Sequence, residues 1–465
     1  MKKIIFSLVL IAASICSFAA LAAQSEPAAQ PFQDGQTVCF LGDSITHGGR
    51  FHYMIFDYYQ TRFPDRNIRF VSVGVSGDSA GGAFGRLNED VYPYNPDVLV
   101  LMMGMNDVGR GNYVAQPTAA QLENQEKSLN WHKDAMIRLI KAIAEKESPE
   151  FIFITPSAFD DTVVIKDRNN NQPGCTAALA RSADFVRQIA PEYKALVVDF
   201  NKPMSELNWE QQKTNPEFTI IGPDRVHPRG PGHLMMAWLF LKSQNVPAVV
   251  SNVEIDAASQ KIVAVQNATV EKLTFDVKEG QNANAIVAFT LKQKALPFPI
   301  ADDAKPILEL EPIIADLNQE IFAVKGLADG KYTLKIDDSE VGVYTAPELA
   351  AGVNLAMNDK TPQYQQAQKV LKMSADRRTT ELKLRDFAAV RWFLRRHVNP
   401  DDLAAVAEYA ETKMNKTGYF EEKVPGYIKG WPTRPEIVKT LDEQTAAIHD
   451  AAQPMPHDYK LIPID

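Results

Sequence analysis

The stretch Val98-Leu99-Val100-Leu101-Met102-Met103 constrains this chain more than any other. Side chains alternate faces along a strand, so six successive apolar residues leave neither face fit for water. Such a strand belongs in the middle of a parallel sheet, covered on both sides. Pro96-Asp97 precedes it and Gly104-Met105-Asn106-Asp107 follows it. Further strand-like runs recur through the first half: Val38-Cys39-Phe40-Leu41, Ile68-Arg69-Phe70-Val71-Ser72-Val73, Phe151-Ile152-Phe153-Ile154 and Ala195-Leu196-Val197-Val198-Asp199. Between and after them lie segments that read as helices, over residues 51–63, 122–145, 177–189 and 231–244. Strands alternating with helices imply an α/β domain, here assigned to residues 36–249.

The chain is 465 residues long, enough for two or three domains. Lys2-Lys3, an apolar run over residues 4–21 and the small-x-small site Ala20-Leu21-Ala22 read as a secretory signal peptide, residues 1–22. Ser14-Ile15 before Cys16 lacks the small residue that precedes a lipidated cysteine. The expectation is therefore an exported protein, periplasmic or secreted, with no integral membrane segment. Residues 23–35 form a Pro-, Ala- and Gln-rich lead-in. The formal charge is −9, and −11 once Lys2 and Lys3 are removed, because residues 1–22 hold no acid. Net negative charge argues against nucleic acid and anionic membrane as partners. Of the remaining cysteines, Cys39 reads as a buried core thiol in preference to half of a disulfide with Cys175.

Near residue 246 the texture changes. Short β-prone runs cover 261–265, 273–277, 286–291 and 321–324. The alternating Lys331-Tyr332-Thr333-Leu334-Lys335-Ile336 turns at Asp337-Asp338-Ser339 into Val341-Gly342-Val343-Tyr344, a hairpin with one buried face. Residues 250–348 thus read as a small antiparallel β-domain resembling a sandwich, and 349–465 as a helical C-terminal region. Helices are expected to start at Thr361-Pro362, Asn399-Pro400 and Arg434-Pro435. The aromatic loop with Tyr419, Phe420, Tyr427 and Trp431 reads as a strap packed on the protein in preference to a sugar-stacking surface.

Four separated features carry chemistry. Ser44 follows the first strand within Gly42-Asp43-Ser44-Ile45-Thr46, and Gly77 follows the second within Gly74-Val75-Ser76-Gly77-Asp78. Asn106 follows the third, and Asp224 and His227 share the loop Asp224-Arg225-Val226-His227-Pro228. Carboxyl ends of parallel strands gather on one sheet edge, where ligands bind in open α/β folds. A serine nucleophile needs a base, and His227 fills that role with Asp224 holding its tautomer. The amides of Ser44 and Gly77 and the side chain of Asn106 are candidate donors to an oxyanion.

These four blocks, in this order, resemble the signatures of the SGNH (GDSL) hydrolase superfamily over about residues 36–245. The resemblance implies a flavodoxin-like three-layer α/β/α sandwich with a parallel sheet. It also implies Ser44 as nucleophile, Asp224 and His227 as the rest of a triad, and Ser44, Gly77 and Asn106 as the oxyanion hole. The implied activity is ester hydrolysis, often of acetyl groups on carbohydrate, so the expected partner is a carbohydrate ester. One departure is Ser72, which stands where the family's second block often carries asparagine. The tail beyond residue 250 is similar, more weakly, to tails of exported bacterial members associated with polysaccharide breakdown.

A rival nucleophile exists. Gly77-Asp78-Ser79-Ala80-Gly81 fits Gly-x-Ser-x-Gly, with Asp199 or Asp224 and His227 as partners. It leaves Ser44 and Asn106 without a role, so Ser79 reads as a loop or helix-cap serine. His47 and His52 read as pocket-entrance residues, His233 as a helix-start or packing residue, and Arg50, Arg110 and Arg229 as surface arginines. No metal spacing, phosphate loop or dinucleotide fingerprint appears, so neither metal nor cofactor is expected. Alternatives on the same fold are a lipase- or thioesterase-like acyl hydrolase, a sugar O-acyltransferase, and a non-catalytic carbohydrate-binding protein. No motif bears on oligomeric state.

Overall fold

A computed structural model describes residues 30–166, 168–276, 286–414 and 418–464. The proposed signal peptide lies outside them. Five parallel strands form the first sheet: β1 Thr37–Gly42, β2 Arg69–Ser72, β3 Val98–Met102, β4 Glu150–Ile154 and β5 Leu196–Val198. Their order is β2-β1-β3-β4-β5, the flavodoxin-like arrangement. The direction of strand order reverses at β1, so a crevice opens between the ends of β1 and β3.

Both faces of β3 are covered, as its composition requires. Val98, Val100 and Met102 join a core with the helices Arg50–Arg62 and Gly230–Ser243. Leu99, Leu101 and Met103 join another with the helices Ala119–Lys146 and Cys175–Ile189. Cys39 and Cys175 are both buried free thiols. Helix Arg50–Arg62 is buried almost all round because its outer side meets more protein, including Phe298, Ile307, Val370 and Ile448.

The next part of the chain forms two further sheets from β6 Val249–Asp256, β7 Lys261–Gln266, β8 Ala268–Asp276, β9 Ile286–Gln293, β10 Gln319–Lys325, β11 Lys331–Ile336, β12 Ser339–Thr345, β13 Val353–Asn354 and β14 Pro456–Pro463. The sheets run β13-β10-β6-β7 and β12-β11-β14-β9-β8. Their inner faces meet through Val253, Ile255, Phe322 and Val324 on one side and Phe289, Leu334, Tyr459 and Leu461 on the other. Two features differ from the sequence reading. β6 and β10 pair in parallel. β14, drawn from the segment read as helical, pairs on both edges, with β11 and β9. The helices between β13 and β14 are therefore an excursion out of the sandwich.

That excursion begins where Thr361-Pro362 places it: Thr361 caps helix Pro362–Leu394 by accepting the Tyr364 amide. The next helix, Leu403–Thr412, starts slightly later than Asn399-Pro400 because Asp402 supplies the cap, accepting the Ala405 amide. The long helix packs on helices Arg50–Arg62 and Arg434–Ala451. Arg385 inserts into the first domain, bonding Asp90 through both guanidinium ends at 2.8 and 2.5 Å and donating Nε to the Gly74 carbonyl at 3.1 Å. Arg86 adds a bond to Asp90 at 2.5 Å and one to Asp78 at 2.8 Å. Burial alone would raise the Asp90 carboxyl, but Arg385 and Arg86 outweigh it and hold it below its ordinary range. Among the described residues no helix is long and apolar enough to cross a membrane.

Two outcomes are expected. Arg385→Ala leaves a buried carboxylate short of a partner and should cost on the order of 3 kcal/mol in urea unfolding. Asp57, in the same interface, is pushed up to about 8 by burial, against a hydrogen bond from Ser374 and the charges of Arg378 and Arg377. Its unfolded carboxyl titrates near about 4, so the folded state keeps a proton that the unfolded state releases. The stability tied to that proton is complete below the unfolded value and lost as pH rises through the folded one. Between about pH 5 and pH 8.5 the wild type should therefore lose more stability than Asp57→Asn, read from urea midpoints.

Candidate active site

The first turn of the site is built on close backbone approach. A Cβ on Gly42 would lie 2.1 Å from Thr46 Oγ1 and 2.9 Å from the Met102 carbonyl, so only glycine fits beside β3. The chain turns at Asp43, whose side chain accepts the Ile45 amide at 3.0 Å and caps the short helix Ser44–Gly48. Burial pushes the Asp43 carboxyl up to about 7, against that amide bond. Ser44 emerges half-buried just past β1.

Opposite it, residues 222–228 form a tight turn. The Gly222 amide donates to the His227 carbonyl at 2.6 Å, and a Cβ on Gly222 would stand 2.8 Å from that oxygen. Arg225 adopts a left-handed conformation, φ 67°, held by bonds from its guanidinium to the carbonyls of Asp160 and Val163 at 2.8 and 2.9 Å. The turn aims His227 at Ser44. His227 Nε2 is 2.8 Å from Ser44 Oγ, and His227 Nδ1 is 2.5 Å from Asp224 Oδ2. Asp224 Oδ1 also accepts the Val226 and His227 amides at 3.1 and 3.0 Å. Partial burial would raise this carboxyl, but the His227 ring and those two amides hold it well below the usual carboxylate range. Asp224 and His227 are both about half exposed, at 47% and 49%.

The second and third blocks lie beside each other. Gly77 has φ 76°, where any other residue would be strained. Asn106 Nδ2 donates to the Asp78 carbonyl at 2.9 Å, which uses one of its two N–H groups. Asp107 clips the loops together, accepting the Ala80 amide at 2.9 Å and the Gly104 amide at 3.1 Å. Among the described residues the amides of Ser44 and Gly77 have no acceptor within the protein.

Other residues go elsewhere. Ser79 caps helix Ala80–Phe84, accepting the Gly82 amide at 3.2 Å, while the hydrogen bonds of the His227 ring go to Ser44 and Asp224. His52 is buried, pushed down to about 4 by burial, and bonds the Thr46 carbonyl through Nε2 at 3.1 Å. His233 is likewise buried and pushed down to about 3. Ser72, where family members often have asparagine, still braces the first block by donating to the Thr46 carbonyl at 3.4 Å. Arg50 pairs with Asp303. Arg110 braces the third block, donating to the Met105 carbonyl at 2.9 Å.

His47 was read as an entrance residue but is a buried brace. The Ser76 amide donates to its Nδ1 at 3.2 Å, so the ring proton sits on Nε2, 3.3 Å from Asp386 of the long helix. Burial lowers its pKa, partly offset by Asp386. Asp107 and Asp78 adjoin motif residues, and that adjacency was their one signal in the sequence. Asp386 had none.

Residues 40–235 match the profile of the GDSL-like Lipase/Acylhydrolase family. An acetylxylan esterase from Geobacillus stearothermophilus is 26% identical over 223 residues, 45% of this chain and 93% of that protein. The solved structure of an acetylxylan esterase from that organism, Axe2, matches 46% of this chain and 96% of its own at 25% identity, with a TM-score of 0.37. A solved gut microbial diltiazem-metabolizing enzyme matches 94% of this chain and 99% of its own at 28% identity, with a TM-score of 0.85, so this likeness runs through the sandwich and the helical excursion as well. Residues 40–235 form a GDSL-like domain of the SGNH hydrolase superfamily, and the protein is a carboxylic ester hydrolase.

Proposed function

We propose that the protein is an exported serine esterase that removes O-acetyl or similarly small acyl groups from a polysaccharide or its oligosaccharides. The observation that carries this reading is the line Asp224–His227–Ser44, with contacts of 2.5 and 2.8 Å. Ser44 Oγ attacks the ester carbonyl while His227 Nε2 takes its proton. Asp224 stays ionised, keeps the ring proton on Nδ1 and steadies the imidazolium. The oxyanion is held by the amides of Ser44 and Gly77 and by the second N–H of Asn106. Collapse breaks the bond to the alcohol, which leaves with the proton from His227. Water, deprotonated by His227, then attacks the acyl-Ser44 ester, and the acid departs as Ser44 recovers its proton.

The substrate class draws support from the likeness to an acetylxylan esterase. Export draws support from Lys2-Lys3, the apolar run after them and Ala20-Leu21-Ala22. Hydrolysis of chromogenic esters of rising acyl length tests the reading. Activity confined to acetyl and propionyl supports it, preference for long chains points to a lipase-like enzyme, and acyl transfer to an added sugar acceptor points to a transferase.

Ser44→Ala should abolish turnover while Ser79→Ala stays near wild type; activity that survives the first change and vanishes with the second would reverse the assignment. Asn106→Ala should lower kcat by roughly 10²–10³-fold, because one oxyanion donor is typically worth that much. Urea unfolding of the same variant checks that the loss is not one of fold.

A further inference from the structure

The aromatic loop read as a strap divides in two. Tyr427 is fully buried and donates to the Pro400 carbonyl at 2.8 Å, which is strap behaviour. Tyr419 is different: it is 50% exposed and donates its hydroxyl to Ser76 Oγ at 3.1 Å, one residue before Gly77. Phe420 Cζ lies 3.8 Å from where a Cβ on Gly77 would stand. An aromatic surface from the C-terminal excursion therefore abuts the loop that carries a proposed oxyanion donor.

The surface is held in place. Phe420 stacks on Phe393 with centroids 5.7 Å apart and planes 10° apart, and its ring is also 5.7 Å from Trp392. Lys423 lies over the Tyr419 ring at 5.0 Å and bonds Asp386 at 2.6 Å. Asp386 in turn meets His47, which accepts the Ser76 amide. Ser76 is thus tied to this loop twice, through its side chain and through its backbone.

We propose that Tyr419 is a specificity-determining residue, an aromatic platform on which a sugar ring of the substrate's alcohol portion stacks. The proposal rests on the esterase reading above. The ring borders the Ser76–Gly77 loop and is assigned to the alcohol portion, the part of the substrate that carries a sugar ring. A pyranose presents an apolar C–H face to an aromatic ring and hydroxyls at its rim. Lys423 Nζ lies over one face of the Tyr419 ring, and the exposed remainder of the ring, with the hydroxyl at its rim, is the surface offered to the sugar.

The test compares full-length wild type, Tyr419→Ala and Tyr419→Phe on an acetylated xylo-oligosaccharide and on ethyl acetate, which has no ring. Tyr419→Ala should lower kcat/KM for the oligosaccharide about tenfold more than for ethyl acetate, mainly through KM, as expected for the loss of one stacked ring. Tyr419→Phe, which keeps the ring and loses the hydroxyl, should stay close to wild type on the oligosaccharide. Equal loss on both substrates, or no loss on the oligosaccharide, overturns the proposal. So does a gain in butyryl over acetyl turnover in Tyr419→Ala, which would assign the ring to the acyl side. Wild type inactive on both acetyl esters would instead bring down the esterase reading, and this proposal with it.

Discussion

The parallel register of β1 against β3 is the constraint on which the rest depends. Gly42 sits opposite Met102, so the two strands end at the same level and their following turns rise side by side. That pairing puts Ser44 and Asn106 on one rim. It holds because β3 is apolar on both faces and can lie only at the centre of a covered sheet. It also demands a residue without a side chain at 42, where even a Cβ would strike the Met102 carbonyl. Position on the rim is thus set by sheet packing, and the turn that aims Ser44 is set by Asp43 capping the next helix.

A second rank of buried polar groups locks the rim. Asp107 ties the second and third blocks, Asp78 and Asp90 share Arg86, and Arg385 reaches in from the C-terminal excursion to Asp90 and Gly74. Buried charges of this kind are costly unless every one is paired, so each member makes the others necessary. The consequence is that residues 311 and 343 positions further along the chain help hold the loop that carries Gly77. The sandwich is bound to the same assembly, because β14, at the far end of the excursion, is an interior strand of its five-stranded sheet.

Much of the first 250 residues was legible in the sequence. Apolar runs located every strand of the parallel sheet, three of them closed by Gly42, Gly74 and Gly104, since strand burial imposes composition directly. The four blocks of the candidate site were legible because each is a short run of adjacent turn and polar residues. His47 was misread for a physical reason: a histidine's neighbours in the chain do not reveal that its Nδ1 accepts the Ser76 amide. β14 was missed because Pro456-His457-Asp458-Tyr459 carries charge and proline, and its central place comes from pairing with strands more than a hundred residues earlier.

The sequence by itself determined the α/β class, the strand ends that carry Ser44, Gly77 and Asn106, and the Asp224–His227 loop, because all of these are local patterns of polarity and turn chemistry. Only the tertiary structure decided that His227 meets Ser44 across 183 residues and that Tyr419 stands beside the Ser76–Gly77 loop. Those relations depend on how separate elements close on one another. No local pattern encodes a distance between residues that are brought together only by packing.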